Sequence, residues 1–147
     1  MGLFGFGKKI DPNSITGKIE AVVNPKKSAQ NPATVDEIAV LVDASETGPE
    51  EASKALFKSL KSFKPTKQIL ALELLTGLAD RSEKFRPQLA NQTFVDFFYV
   101  NATVSWVDVT FKAKIIKAAQ HWQNEYKGEE SFVPAATLYQ NIMSHRR

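Results

Sequence analysis

The fold of this chain is decided by Ile69-Leu-Ala-Leu-Glu-Leu-Leu-Thr-Gly-Leu-Ala79, the most apolar stretch of its 147 residues. Leucine and alanine recur there at spacings of three and four residues, which predicts an α-helix from Thr66 to about Asp80. This helix is apolar on nearly every side, so it is too apolar for a surface position. We therefore expect it to lie at the centre of an all-α fold.

The segment before Pro65 predicts a helix with two different faces, which carries Pro49 in its first turn and runs to about Phe63. One face is apolar and consists of Ala52, Leu56, Leu60 and Phe63. The other face is basic and consists of Lys54, Lys58 and Lys61. The two rows lie about 200° apart around the helix axis, so the first is predicted to be core and the second exposed.

Proline, glycine and capping residues divide the rest of the chain into further segments of helical length. These segments are Ser14 to Val23, Val35 to Ala44, Glu83 to Ala90, Thr93 to Tyr99, Val107 to Tyr126 and Phe132 to Met143. Residues 101–106 are predicted to form a loop. Phe111, Ile115 and Trp122 share one stripe of their helix, so we expect Trp122 to pack inward. Since period-2 alternation is hard to find, the prediction is an all-α fold of eight helices.

The composition excludes several classes of function. The chain has no cysteine and two histidines, His121 and His145, which excludes disulfide frameworks, cysteine nucleophiles and zinc clusters. The histidines fall on different predicted helices without an acid–base partner, and His121 reads as a surface residue, so we expect no enzyme, no metal and no cofactor. The net charge is +3 and the lysines lack interleaved aromatic residues, so nucleic acid is not an expected partner.

We expect one helical domain, residues 13–147, behind a flexible N-terminal segment, residues 1–12. The segment is rich in glycine and carries Leu3, Phe4 and Phe6 next to two lysines, a composition that would suit shallow membrane insertion. It lacks the pattern of a secretory signal. No apolar run approaches the roughly 20 residues of a membrane span.

Several segments, in this order and spacing, resemble the VHS domain family. Ala71-Leu-Glu-Leu-Leu-Thr-Gly-Leu-Ala-Asp-Arg-Ser-Glu-Lys-Phe85 is similar to the central helix of the family, with its Ala-Leu-x-Leu-Leu core and following Phe. Lys114-Ile-Ile-Lys-Ala-Ala-Gln-His-Trp122 and Leu138-Tyr-Gln-Asn-Ile142 are similar to two later helices. Gly48-Pro49 matches the entry to the family's third helix. The resemblance covers roughly residues 13–143.

The resemblance implies an eight-helix right-handed α-superhelix, which the helix count alone does not distinguish from a four-helix bundle. It also implies a non-catalytic adaptor module of endosomal or Golgi sorting, cytoplasmic and peripheral on endosomes, Golgi or endocytic sites of the plasma membrane. We expect the isolated domain to be a monomer. Two alternatives stay open: a phosphoinositide-binding endocytic module of ENTH or ANTH type, and a protein-binding scaffold of cortical actin and endocytosis.

A first candidate site implied by the resemblance is a ubiquitin or cargo face on the second helix. Many family members bind ubiquitin there through an exposed Trp and a Leu one turn later. In this chain Val35 and Ala39 take those positions, so most of the aromatic anchor is missing. Asp43 completes the candidate face. Val35 also lies at the edge of the apolar arc of its helix, so a boundary core position is the alternative.

A second candidate site is a groove for acidic-dileucine sorting signals, which Golgi-localised members bind between two late helices. The groove candidates in this chain are Phe94, Phe98, Tyr99, Asn141 and Met143. The basic residues that would receive the acidic part of the signal are displaced, because His145, Arg146 and Arg147 lie at the end of the last helix.

A third candidate site is the lysine stripe Lys54, Lys58 and Lys61, which Lys64 and Lys67 continue. Such a stripe would suit the headgroups of an acidic phospholipid membrane. A solvated helix face is the alternative.

Overall fold

Helices make up all the regular structure in residues 10–24, 26 and 34–146, the part of the chain that the computed structural model describes. The α-helices are α1 (Ile15–Val23), α2 (Val35–Asp43), α3 (Gly48–Leu60), α4 (Pro65–Arg81), α5 (Gln92–Thr103), α6 (Val109–Tyr126), α7 (Val133–Ala136) and α8 (Leu138–Arg146). Two 3₁₀ segments, Arg86–Ala90 and Glu130–Phe132, precede α5 and α7. The predicted all-α fold is confirmed.

Side-chain caps and prolines determine where the helices begin. The Thr34 hydroxyl accepts a hydrogen bond from the backbone N–H of Glu37 at 3.1 Å and forms a full capping box at α2. Asp108 caps α6. α3 and α4 have Pro49 and Pro65 in their first turns, where a missing N–H costs nothing. The predicted starts of α1 to α4 are therefore confirmed to within a residue or two.

Two predicted helices are replaced by shorter pieces. The segment Glu83 to Ala90 was expected to be an α-helix, but only Arg86–Ala90 is helical, as a 3₁₀ segment, because Pro87 supplies no N–H. The expected helix from Phe132 to Met143 is divided between α7 and α8. The break falls at Thr137, whose hydroxyl donates to the Val133 carbonyl at 3.1 Å.

Two helix ends also differ from the prediction. α5 continues through Thr103 instead of ending before Asn101, and the Asn101 side-chain amide donates to the Phe97 carbonyl at 2.8 Å. α3 ends at Leu60. The assignment of Phe63 to the core face is wrong, since the chain has left the helix there and the Phe63 side chain is 92% exposed.

α4 lies at the centre of the fold, as its apolar sequence predicts. It packs against α1, α2, α3 and α6. Most helices contact the elements that lie one or two places away along the chain, which is the pattern of an α-superhelix. The inward position of Trp122 is also confirmed, because its ring is fully buried against Phe98 and Phe132 at centroid distances of 5.6 and 6.4 Å.

α4 and α6 run parallel to each other. Lys114 Nζ lies 3.1 Å from Glu73 Oε2, and two turns later His121 Nε2 lies 2.9 Å from Asp80 Oδ1. Both pairs are separated by 41 residues in sequence. The N-termini of the two helices therefore lie at one end of the domain and their C-termini at the other.

Residues 1–9, which include Leu3, Phe4 and Phe6 of the expected N-terminal segment, lie outside the described part of the chain. Among the helices that are described, none has the length and apolar character needed to cross a bilayer.

Candidate functional site

The candidate ubiquitin face of α2 is engaged by the rest of the domain. Ala39 is buried in the core. Val35 is half-buried, and its Cγ2 lies 3.0 Å from the position that a Cβ on Gly77 of α4 would occupy. Asp43 accepts a hydrogen bond from the Ser82 hydroxyl at 2.5 Å. The three residues share one side of α2, on which Ala39 faces the core and Val35 faces α4, while Asp43 stays exposed next to its partner Ser82.

The exposed apolar side chain of α2 is Val40, which is 67% exposed. It lies one turn after Asp36, on the acidic face of the helix. The sequence does contain a sign of this exposed position, because Val40 is an apolar residue among acids. It is a weak signal, because single exposed apolar residues are common on soluble proteins.

The lysine stripe on α3 is exposed along its whole length. Two of its members have partners within the domain. Lys58 Nζ lies 3.6 Å from Glu20 Oε2 of α1, and Lys61 Nζ lies 4.7 Å from the centre of the Phe57 ring. Lys54 borders a shallow cavity between α3 and the start of α5. Because exposed ion pairs are weak, these contacts leave the stripe available to an external anion.

An open groove of about 560 Å³ lies between α5 and α8. Tyr99 and Asn141, two of the groove candidates, line it from its two walls. Phe94 and Phe98 lie in the core instead, and Met143 is half-buried against the core. The structure therefore brings two of the five groove candidates together at the surface.

The remaining lining of the groove sets its chemistry. Val95 and Leu138 add apolar surface, and Ser144 adds a hydroxyl. Asp96, Tyr99 and His145 are the charged or titratable side chains described in the lining, without a lysine or arginine, while the side chains of Arg146 and Arg147 lie outside the described residues. The His145 ring packs edge-on against Tyr99 at 5.8 Å between centroids. Such a lining suits an apolar anchor with a few hydrogen bonds rather than a cluster of acids.

The sequence did not single out a polar network at the C-terminal ends of α4 and α6. There the carboxylate of Asp80 accepts a hydrogen bond from the Tyr126 hydroxyl and lies 2.9 Å from His121 Nε2. Burial, together with the hydrogen bond to Asp80, raises the pKa of Tyr126. His121 is half-exposed, so its predicted surface position holds, although it has a partner.

Arg86 continues this network from the 3₁₀ segment after α4. Its buried guanidinium donates to the Ala79 carbonyl at 2.9 Å and to Glu129 at 2.6 Å. It also lies over the Tyr126 ring, 4.2 Å from the centroid. The network joins two stretches that are distant in sequence, residues 79–86 and 121–129, which is why single-helix patterns do not reveal it.

The arrangement of the network indicates that it stabilises the fold. Tyr126 and His121 occupy the Asp80 carboxylate, Arg86 occupies Glu129, and the network contains no serine, threonine or cysteine nucleophile. Within the described residues, no three metal-ligating side chains come together. The surfaces that are open to a partner are the groove, the lysine stripe and the exposed apolar residues.

Comparison with known proteins agrees with this arrangement. The family model described as VHS domain matches residues 11–145 of the chain. The chain is also similar to protein lsb5 of Schizosaccharomyces pombe, with 25% identity over 143 residues, or 97% of this chain and 46% of that relative. It thus spans about half the length of that relative. VHS domains are adaptor-type, protein-binding modules of membrane trafficking, and this chain belongs to the VHS domain family.

Proposed function

We propose that this VHS domain is a non-catalytic adaptor module of vesicle sorting that binds a short sorting-signal peptide in the groove between α5 and α8. The observation that carries the proposal is the groove itself, about 560 Å³ in volume and lined by Tyr99, Val95 and Asn141. Its apolar surface comes from Val95, Leu138 and the Tyr99 ring, next to several polar side chains. Concave sites that combine apolar surface with polar groups are typical of peptide and ligand binding. The domain would work on the cytoplasmic side of endosomes, Golgi membranes or endocytic sites.

The charge of the groove defines which peptide it favours. Asp96 lies in the lining, and its Oδ1 accepts a hydrogen bond from Gln92 Nε2 at 2.6 Å. An acidic cluster in the peptide would approach this carboxylate without a described lysine or arginine to receive it. The affinity should therefore come from a pair of leucines and not from acids before them.

A titration followed by amide chemical shifts tests this proposal. A dileucine peptide without acids should shift resonances of α5 and α8 and bind at least as tightly as its acidic-dileucine counterpart. A dialanine peptide should cause no shifts. Equal shifts with the dialanine peptide, or shifts confined to other helices, would remove the groove as the binding site.

A single added charge sharpens the experiment. Asn141→Lys places a cation in the groove and should make the acidic peptide the better ligand by about tenfold, because close opposite charges across an interface are coupled. Gln140→Lys is the matched control, because it adds the same charge at the next position, outside the groove lining. It should leave the preference unchanged.

An acidic phospholipid surface is the second candidate partner, favoured by the exposure of Lys54, Lys58 and Lys61. Its attraction should weaken with salt, since exposed charges are screened over about 8 Å at physiological ionic strength. Ubiquitin is less favoured as a partner. Ala39 is buried and Val35 packs against α4, so the apolar part of such a contact would have to come from Val40.

A further inference from the structure

The end of the domain at which α4 and α6 begin carries two neighbouring loops. Because the helices are parallel with an offset of 41 residues, Val109, the first residue of α6, lies about level with Gln68 in the first turn of α4. Packed helices lie about 8–10 Å apart. The turn that contains Phe63 and the loop that contains Trp106 therefore lie at the same end of two adjacent helices. We call this surface, with Val109, the loop edge.

The loop edge exposes large apolar side chains that the fold does not use. Phe63 is 92% exposed, Trp106 82% and Val109 80%. Phe63 also has a φ of 60°, a conformation that favours glycine and disfavours any residue with a Cβ. Folding alone would thus select a small residue at position 63. Neighbouring exposed apolar residues of this size indicate an interaction surface.

The charge around these residues is strongly positive. In residues 24, 26, 61–67 and 103–112 the described cations are Lys26, Lys61, Lys64, Lys67 and Lys112, of which Lys112 donates to the Val104 carbonyl at 2.6 Å. The acid in these ranges is Asp108, whose carboxylate is used to cap α6. Lys26 lies at the same end of the domain as Phe63. Its backbone N–H donates to the Asn24 side chain, and Asn24 lines the same cavity as Phe63 and Lys64.

We infer that the loop edge docks the domain on a bilayer of anionic phospholipid, with Phe63 and Trp106 inserted at headgroup level and the lysines on lipid phosphates. Aromatic rings of this kind prefer the membrane interface. Stable peripheral binding needs an apolar and a basic component together, and both are present here. The inference rests on the proposed membrane partner but assigns it to a surface other than Lys54 and Lys58, and it is independent of the peptide groove.

The chain contains its own probe for this contact. Its two tryptophans are Trp106, which is exposed, and Trp122, which is fully buried. With the whole 147-residue chain, vesicles of phosphatidylcholine and phosphatidylserine should shift Trp106 emission to the blue and protect it from acrylamide. Vesicles of phosphatidylcholine alone should do so much less, because the lysines then lack a counter-charge.

Matched variants separate the loop edge from other surfaces. The double variant Phe63→Ser with Trp106→Ser should sediment with the anionic vesicles about tenfold less than the parent, since its interfacial apolar area is lost. Val40→Ser with Val133→Ser is the control, because it also removes two exposed apolar side chains, on α2 and α7. Lys64→Glu with Lys67→Glu should lower binding more than Lys54→Glu with Lys58→Glu.

Three results would overturn the inference. Undiminished binding of the Phe63 and Trp106 variant, with loss only in the Lys54 and Lys58 variant, would assign the membrane to the α3 stripe. A parent that binds neither vesicle would reject both lipid surfaces while leaving the peptide groove standing. A blue shift that depends on protein concentration without vesicles would assign the loop edge to a second copy of the chain.

Discussion

The two ends of the parallel pair α4 and α6 are built in opposite ways. At the C-terminal end, the Tyr126 hydroxyl donates to Asp80, and the buried Arg86 lies over the Tyr126 ring and donates to the Ala79 carbonyl. At the N-terminal end, Phe63 and Trp106 extend into water and contribute little to the fold. The difference indicates that one end stabilises the superhelix while the other is free to meet a partner.

The two ends differ in how much a substitution there changes the free energy of unfolding, which explains why stabilisation and partner binding are assigned to different ends. Buried polar groups stabilise a fold only when every one is satisfied, so a network such as that around Arg86 tolerates little change. Exposed apolar side chains carry no such requirement and change at little cost to folding. Substitutions at the two ends should therefore differ in their effect on stability.

The largest effect is expected from Arg86→Ala. It removes charged hydrogen bonds to the Ala79 carbonyl and to Glu129 and leaves that carbonyl unsatisfied, so we expect a loss of about 2–4 kcal/mol in the free energy of unfolding. The measurement is urea denaturation followed by circular dichroism.

Arg81→Ala is the matched control for this substitution. Arg81 pairs with Asp36 at 2.5 Å, but both side chains are well exposed, so the loss should stay below about 1 kcal/mol. Equal losses for the two arginines would mean that the network around Arg86 does not stabilise the C-terminal end of the α4 and α6 pair.

A smaller effect, about 1–2 kcal/mol, is expected from Tyr126→Phe, because the hydrogen bond to the Asp80 carboxylate is lost. This variant also changes the pH dependence. The raised pKa of Tyr126 keeps its proton in the folded state at a pH where the unfolded chain releases it, so the parent loses stability as the pH rises above about 10.

The Tyr126→Phe variant should not lose this part of its stability at alkaline pH, so the free energies of unfolding of parent and variant should converge at high pH. Tyr139→Phe is the control, since this tyrosine is half-buried on α8 and its hydroxyl makes no hydrogen bond among the described residues. A parent and a Tyr126 variant with parallel stability curves between about pH 9 and 11 would refute the assignment.

The difference between the two ends also marks the limit of what the sequence could predict. Periodicity within one helix was sufficient to predict the central position of α4, the inward position of Trp122 and the exposure of the lysine stripe. The same periodicity misplaced Phe63, because the i, i+4, i+8, i+11 pattern continues past Leu60, where the helix itself ends. A pattern cannot report where its helix stops unless a cap or proline marks the place.

The candidate site was predicted less completely for a related reason. α5 carries aromatic residues on several sides, so its sequence does not tell that Phe94 and Phe98 are core residues while Tyr99 reaches the groove. The network around Asp80 depends on contacts across more than 40 residues of sequence. Such contacts follow from tertiary packing, which no local pattern contains.

The smallest effect is expected at the loop edge and compares Phe63→Gly with Phe63→Ala. Neither variant should unfold the domain, because the Phe63 side chain has almost no contacts to lose. Alanine keeps a Cβ in the left-handed conformation at φ 60°, whereas glycine adopts it freely. The glycine variant should therefore be more stable than the alanine variant by about 1 kcal/mol, and at least as stable as the parent. Thermal unfolding of the three proteins measures this difference. A loss of several kcal/mol in both variants would show that Phe63 belongs to the core, and the two ends of the α4 and α6 pair would then be alike.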